Sequence, residues 1–419
     1  MRQTLILVPA LALACAATSH AEESTSATTM EIGGLALTPY GQFDQFVGRS
    51  VGFSNDANPG VAPGAHSKVD LLNGGLSTSN IGLRGRAKIA EGTDVVFDLS
   101  AFINPEGGSF GRTEDKSVTV ANGVFPADPL LSRAANVGFD FKGVGVLKVG
   151  SDIAPMFFSI IRSNPFGDSM VFGPLPTLTF INSGISGGTN WQKGVFFNSA
   201  NLDGLWFRAA YSFGEAGDVY VSPAAANDVS GHSGRNWALS ANYSSSTFGA
   251  MLVYQKVNRN NVIGNFSTST LTVDNTNAWM AGASYNFGFA KVFGHVGGFR
   301  DESSPSSPFY AGRQKIYELS LSVPVAGGDV LAAVGKRDAG GGVAATPDVA
   351  ILDDGAPGGS NGRRMATVGY NYHLFKNTDI YALLSSDRTH TNVLNTSNGT
   401  VGNVGASATN FGIGGRFSF

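Results

Sequence analysis

The chain has 419 residues, a near-neutral net charge of −3 and a single cysteine, Cys15. Near-neutrality argues against nucleic acid as a partner, and one cysteine excludes a disulfide framework. Charged residues make up only 14% and glycines number 56. A soluble enzyme typically carries about 25% charged residues and about 7% glycine.

The first element reads as a secretory signal. Arg2 is followed by an apolar stretch over 5–17, broken only by Pro9, and then by small residues at Ser19 and Ala21. That pattern predicts cleavage after residue 21, leaving 22–419 as one domain. The apolar stretch is too short to cross a bilayer as a helix, which takes about 20 residues. No long apolar run follows it.

Period-two alternation then recurs in short stretches, most clearly at 205–213, 237–243, 248–254, 279–287, 317–323 and 366–372. In 205–213, Leu205, Phe207, Ala209, Tyr211 and Phe213 share one face, and Trp206, Arg208, Ala210 and Ser212 the other. In 237–243, Trp237, Leu239, Ala241 and Tyr243 oppose Ala238, Ser240 and Asn242. One apolar face and one small, polar face suit a strand with lipid outside and water inside.

Short links at 90–92, 142–143, 201–204, 244–246, 287–289, 323–328 and 373–377 alternate with long Gly-, Ser-, Asn- and Pro-rich segments. The long segments lie near 50–75, 104–131, 152–190, 215–233, 259–275, 301–312, 339–361 and 389–407. Seven turns and eight loops predict an all-β, antiparallel transmembrane barrel of about sixteen strands. Sixteen strands enclose an aqueous channel, and closure leaves no unpaired edge in hydrocarbon. Tyr243, Tyr285, Phe287, Phe289, Tyr370, Tyr372 and Phe375 sit near the short turns, placed for a headgroup girdle. The last residues alternate through Phe411, Ile413, Gly415 and Phe417 to Phe419, and resemble the final-strand signal read by barrel assembly machinery.

Several segments, taken in order, resemble the general trimeric porins of Gram-negative bacteria, of the beta-proteobacterial type. Leu37-Thr38-Pro39-Tyr40-Gly41-Gln42-Phe43-Asp44 is similar to the family's first strand, Ser79-Asn80-Ile81-Gly82-Leu83-Arg84-Gly85 to its second, and Val95-Val96-Phe97-Asp98-Leu99 to its third. Residues 133–139 and 143–150 resemble its fourth and fifth, and residues 366–386 with the Phe419 terminus its last three. Two departures stand out: Ser151 occupies a position usually held by arginine, and Asn190-Trp191-Gln192-Lys193-Gly194-Val195 replaces the usual sixth-strand pattern. The resemblance implies an outer-membrane channel for small hydrophilic solutes, a homotrimer, and a long third loop folded into the lumen. Segment 152–190 fits that loop: it holds Pro155, Pro165, Pro174 and Pro176, and an apolar set of Met156, Phe157, Phe158, Ile160, Ile161 and Phe166. Such a surface needs burial, in the barrel or against a neighbouring protomer. Outer-membrane lipid and lipopolysaccharide are the surrounding partners this implies.

Strand parity assigns the candidate pore residues. Asn80, Gly82, Arg84 and Arg86 face the lumen, as do Asp98, Ser100, Tyr40, Gln42, Asp44 and Arg208. Arg133 resembles a family arginine near the constriction. A basic wall of Arg84 and Arg133, with Arg86 or Lys193 beside them, is expected to face Asp152 and Asp168 on the inserted loop. Opposed charges across a narrow water path filter solutes by field as well as size. An alternative role for the lumen arginines is pairing with Asp44 or Asp98 to stabilise the wall. No histidine pair has metal spacing and no nucleophile elbow appears, so neither a cofactor nor catalysis is expected. An outer-membrane barrel enzyme and a plugged structural barrel are the rival readings.

Overall fold

The computed structural model describes residues 29–50, 69–111, 130–180, 189–213, 235–266, 269–303, 313–340, 344–346, 349–351, 361–395 and 400–419. The signal segment and much of the expected loop sequence lie outside them. Among the described residues, sixteen strands form the wall: β1 (Leu35–Arg49), β2 (Asn80–Ala90), β3 (Thr93–Asn104), β4 (Ala134–Phe141), β5 (Gly145–Ile153), β6 (Asn190–Ser199), β7 (Leu205–Phe213) and β8 (Arg235–Ser244). The rest are β9 (Phe248–Phe266), β10 (Ser269–Asn286), β11 (Lys291–Ser303), β12 (Arg313–Val325), β13 (Gly328–Gly340), β14 (Asn361–Phe375), β15 (Thr378–Asn395) and β16 (Thr400–Ser418). Each pairs antiparallel with the next, and β16 returns to β1 from Gln42↔Ser418 to Arg49↔Phe411. β1 meets β2 from Leu35 to Gln42 and β16 from Gln42 onward, and the short strands Met30–Ile32 and Asp70–Asn73 also pair with it. The sheet is closed, as the alternation predicted.

The two faces separate as the sequence pattern requires. On β7, Phe207, Tyr211 and Phe213 are exposed while Arg208, Ala210 and Ser212 are buried. On β8, Trp237, Leu239 and Tyr243 are exposed and Asn236, Ala238, Ser240 and Asn242 buried. Aromatic rings gather at the turn end of the outer face, with Tyr285, Phe287 and Phe289 in one chain of ring contacts. A second set, Tyr211, Trp237, Tyr254, Trp279 and Tyr317, is exposed toward the loop end.

Two of the expected long loops are largely strand. β9 and β10 stay paired out to Phe266↔Ser269, with register shifts after Asn258 and Val262. β15 and β16 stay paired out to Asn395↔Thr400. A strand leaving the bilayer has water on both faces, so the apolar alternation that marks it in the sequence disappears.

Segment 152–190 also differs from a plain loop. Residues 152 and 153 belong to β5, and two short helices follow, α1 (Pro155–Ser163) and α2 (Pro174–Phe180). Pro155 and Pro174 open the helices, where a missing amide costs nothing. Both helices lie on the inner face of the wall. Met156, Ile160, Leu175 and Leu178 form one buried cluster with Met251, Val253, Met280, Phe299 and Ile316 of β9–β12. The inner face is therefore apolar where the helices cover it, rather than polar throughout. The six apolar residues singled out above are all buried within this chain. Burial of such a side chain contributes about 1.5–3 kcal/mol.

Candidate functional site in the barrel lumen

Tyr40 is the hub of the basic wall. Arg84 of β2 and Asp98 of β3 stand directly opposite each other in register, joined Nε to Oδ2 at 3.2 Å. The Tyr40 hydroxyl of β1 donates to Asp98 Oδ1 at 2.6 Å. Arg133, one residue before β4, donates from Nη1 to the Tyr40 oxygen at 3.1 Å. The Arg84 guanidinium lies 3.9 Å from the centre of the Tyr40 ring, a stacked contact that a planar cation favours. Gly82 makes this possible: a Cβ there would come within 2.6 Å of the Tyr40 ring and 2.7 Å of Ser100 Cβ. Arg84 keeps 32% of its side chain exposed against 13% for Asp98. The positive partner is therefore the one presented to water.

Asp168, on the connection between the two helices, approaches the same wall. Its Oδ2 accepts the Thr78 amide at 3.1 Å, and the Arg133 charge acts on it. Burial holds its carboxyl above the usual carboxylate range, against the opposing pull of Thr78 and Arg133. Asn164 shapes this connection, donating to the Ile160 carbonyl at 2.8 Å and accepting the Phe166 amide at 2.8 Å. Ser169 ties it to the Gly75 carbonyl at 2.6 Å.

The remaining expected site residues fall elsewhere. Arg86 sits further along β2 and bridges Asp94 at 2.5 Å and Asp140 at 2.6 Å. Asp152 is not on the loop: it lies in β5, paired with Lys148 at 2.6 Å and Arg208 at 3.2 Å. Arg208 is buried beneath α1, 4.2 Å from the Phe158 ring centre, and donates to the Ile153 carbonyl at 2.7 Å. This pair fastens α1 to the wall instead of facing the water path. Asp44 is fully buried, accepting the amides of Gly75, Leu76 and Ser77 at 2.8–3.0 Å and the Tyr381 hydroxyl at 2.5 Å. It is an anchor rather than a pore group. Lys193 occupies an exposed bulge in β6 at φ 50, four strands away from Arg84.

Sequence reasoning gave Tyr40 a lumen face but no role, because its function depends on three strands meeting. It also missed the chain linking Ser163, His295 and Glu318. His295 Nδ1 lies 2.7 Å from Glu318 Oε2, and Nε2 lies 3.0 Å from Ser163 Oγ at the end of α1. Glu318 and His295 are buried, and the contact holds α1 to β11.

The model of one family, the Gram-negative porins, matches residues 8–392 of this chain. No curated protein matches it at a significant level. An anion-selective porin from Comamonas acidovorans superposes with a TM-score of 0.65 at 19% identity, covering 92% of this chain and 100% of its own. OmpT, an outer membrane protein of Vibrio cholerae, superposes at 0.60 with 12% identity, over 94% and 100%. OmpF of Salmonella typhi superposes at 0.53 with 12% identity, over 94% and 100%. The closed sixteen-strand wall and the family match together make this chain a member of the Gram-negative porin family, an outer-membrane channel.

Proposed function

We propose that the chain is a general diffusion channel whose narrowest point is the gap between the Tyr40–Arg84–Arg133 wall and the inward-packed 154–180 segment, and that it favours small anions. The observation that carries this reading is the convergence of two guanidinium groups on one tyrosine at the water-facing side of β1–β4. Asp98 is shared with the Tyr40 hydroxyl and largely covered, so its charge orients the cluster while Arg84 and Arg133 set the field. The Arg84 contact to Asp98 at 3.2 Å also supports a wall-stabilising part for that arginine beside its part in the field. The selectivity printed for the Comamonas porin belongs to that protein; the basic wall is the independent support here.

The same reading includes a homotrimer, the state named for one form of the Vibrio OmpT neighbour. It includes removal of residues 1–21 on export, and assembly through the strand ending at Phe419. The chain acts by passage of solute, not by catalysis, and takes no cofactor.

Single-channel conductance of the purified protein in a planar bilayer under a salt gradient tests this directly. Stepwise openings with closure in thirds and an anion-directed reversal potential are expected. The Arg84→Gln/Arg133→Gln variant should move that potential toward cations by about tenfold in permeability ratio, from the loss of two charges beside the path. A silent membrane, or a reversal potential that the substitutions leave in place, refutes the reading.

A further inference from the structure

Three cations stand side by side on the outer face of the barrel, toward the loop end. Lys336 of β13 is in register with Arg364 of β14, and Arg364 with Arg388 of β15. Tyr317 continues this row on one side and Ser407 on the other. Like charges directly opposite each other destabilise a sheet, so the row calls for an anion. Lys336 has one in Asp338 at 2.7 Å. Arg364 and Arg388 are exposed and make no ion pair among the described residues. Their inward neighbours differ: Arg363 grips Asp387 at 2.6 Å, and Arg337 donates to the Leu178 carbonyl at 3.1 Å.

The row lies where the apolar belt ends. On the turn side of it, Leu319, Val334, Val368 and Leu384 are exposed, and Tyr317 belongs to the loop-end aromatics that mark a bilayer interface. An open groove descends from the cations between Val296, Leu319 and Val334. Gly294 deepens it, since a Cβ there would meet nothing within 4 Å. Long loops face outward in such barrels, so the row meets the outer leaflet. A cationic ledge above an apolar groove matches an amphiphile with a phosphorylated headgroup and an acyl chain.

We propose that Lys336, Arg364 and Arg388 form a binding ledge for the headgroup phosphate of an outer-leaflet glycolipid, one of whose acyl chains lies in the groove below. The inference rests on the outer-membrane location and gives the expected lipopolysaccharide contact a place on the barrel. The guanidinium forks suit paired contact with phosphate oxygens, and the lipid anion relieves the repulsion within the row.

The test is native mass spectrometry of the folded protein in detergent with bis-phosphorylated lipid A, beside lipid A stripped of phosphate. Arg364→Gln/Arg388→Gln is expected to weaken lipid A binding by about thirtyfold, and Arg388→Gln alone by about fivefold. The single variant serves if the double variant does not fold. Lys142→Gln, in a short turn at the opposite end, should bind as the native chain does. Conductance of the same preparations should stay native, which separates failure of the ledge from failure of the channel. Native affinity in the variants, or equal binding of the dephosphorylated lipid, overturns the proposal. So does full competition by millimolar inorganic phosphate, which would make the site a free-anion site. Cross-linking of two copies through an Arg388→Cys variant would put a second copy there instead.

Discussion

The cluster around Tyr40 shows how neighbouring strands turn ordinary lumen residues into a charged edge. Arg84 and Asp98 were both legible as inward-facing, because parity on a half-buried strand leaves no other choice. Their partnership with Arg133 was not, since it runs through a tyrosine three strands away from β4. In the proposed channel Asp168 is the opposing charge, and its behaviour with pH is the sharpest residue-level consequence of that proposal. With its carboxyl held above the ordinary range by burial, falling pH protonates it earlier than a free aspartate. The acid facing Arg133 is then lost while the arginines stay charged, so anion preference should rise as the solution is acidified. A change of about threefold in permeability ratio is expected from one charge acting across several ångströms of water. Reversal potentials measured from neutral to mildly acidic pH check this. The Asp168→Asn variant should show the acid-side preference at every pH, and a native-like pH response in that variant would remove Asp168 from the mechanism.

At the scale of elements, the inward helices depend on close approach to the wall. α2 rests on β13 at Gly335, where a Cβ would come within 2.7 Å of Leu178 Cδ1 and 3.0 Å of Pro174 Cβ. A leucine tip can turn away, but a proline ring at a helix start has little freedom. Gly335→Val should therefore leave the barrel folded while pushing α2 into the lumen, with a smaller single-channel conductance. Unchanged conductance would mean that α2 does not border the water path. α1 is held by different means, the buried Asp152–Arg208 pair and the His295 contact to Ser163. Gly282 leaves room for that histidine, since a Cβ there would come within 2.2 Å of the ring. None of these fastenings is visible in the order of residues. Asp152 read as a loop residue because it opens the long, proline-containing 152–190 segment, yet pairing with β6 carries β5 on to Ile153.

For the whole molecule, closure is where distant parts of the chain meet. Asp44 of β1 takes the Tyr381 hydroxyl from β15 and three amides from residues 75–77. Nearby, Arg416 of β16 grips Asp379 at 2.5 Å and reaches Ser77 at 3.2 Å. The Phe419 amide and carbonyl both bond Gly41, each at 3.0 Å. Removing the buried acceptor strands several donors, so Asp44→Ala should destabilise the barrel by about 3–5 kcal/mol. Tyr381→Phe, which removes one bond to a charged group, should cost about 1.5–3 kcal/mol. The temperature at which the folded band shifts to unfolded mobility on a gel reads both. Equal temperatures for Asp44→Ala and native protein would show that the seam does not depend on this anchor.

By itself the sequence determined the strand number, the order of short turns and long loops, the lipid and lumen faces, and the apolar character of the 154–180 segment. These follow from local rules: each strand meets lipid on one side, so its alternation repeats whatever its neighbours are. The tertiary structure alone decided which charges share a site and which are locked away. Arg84, Arg133 and Tyr40 converge, Asp44 and Arg208 vanish into the wall, and Lys336, Arg364 and Arg388 line up on the outside. Register and closure set those outcomes, and both depend on pairings between residues far apart in the chain.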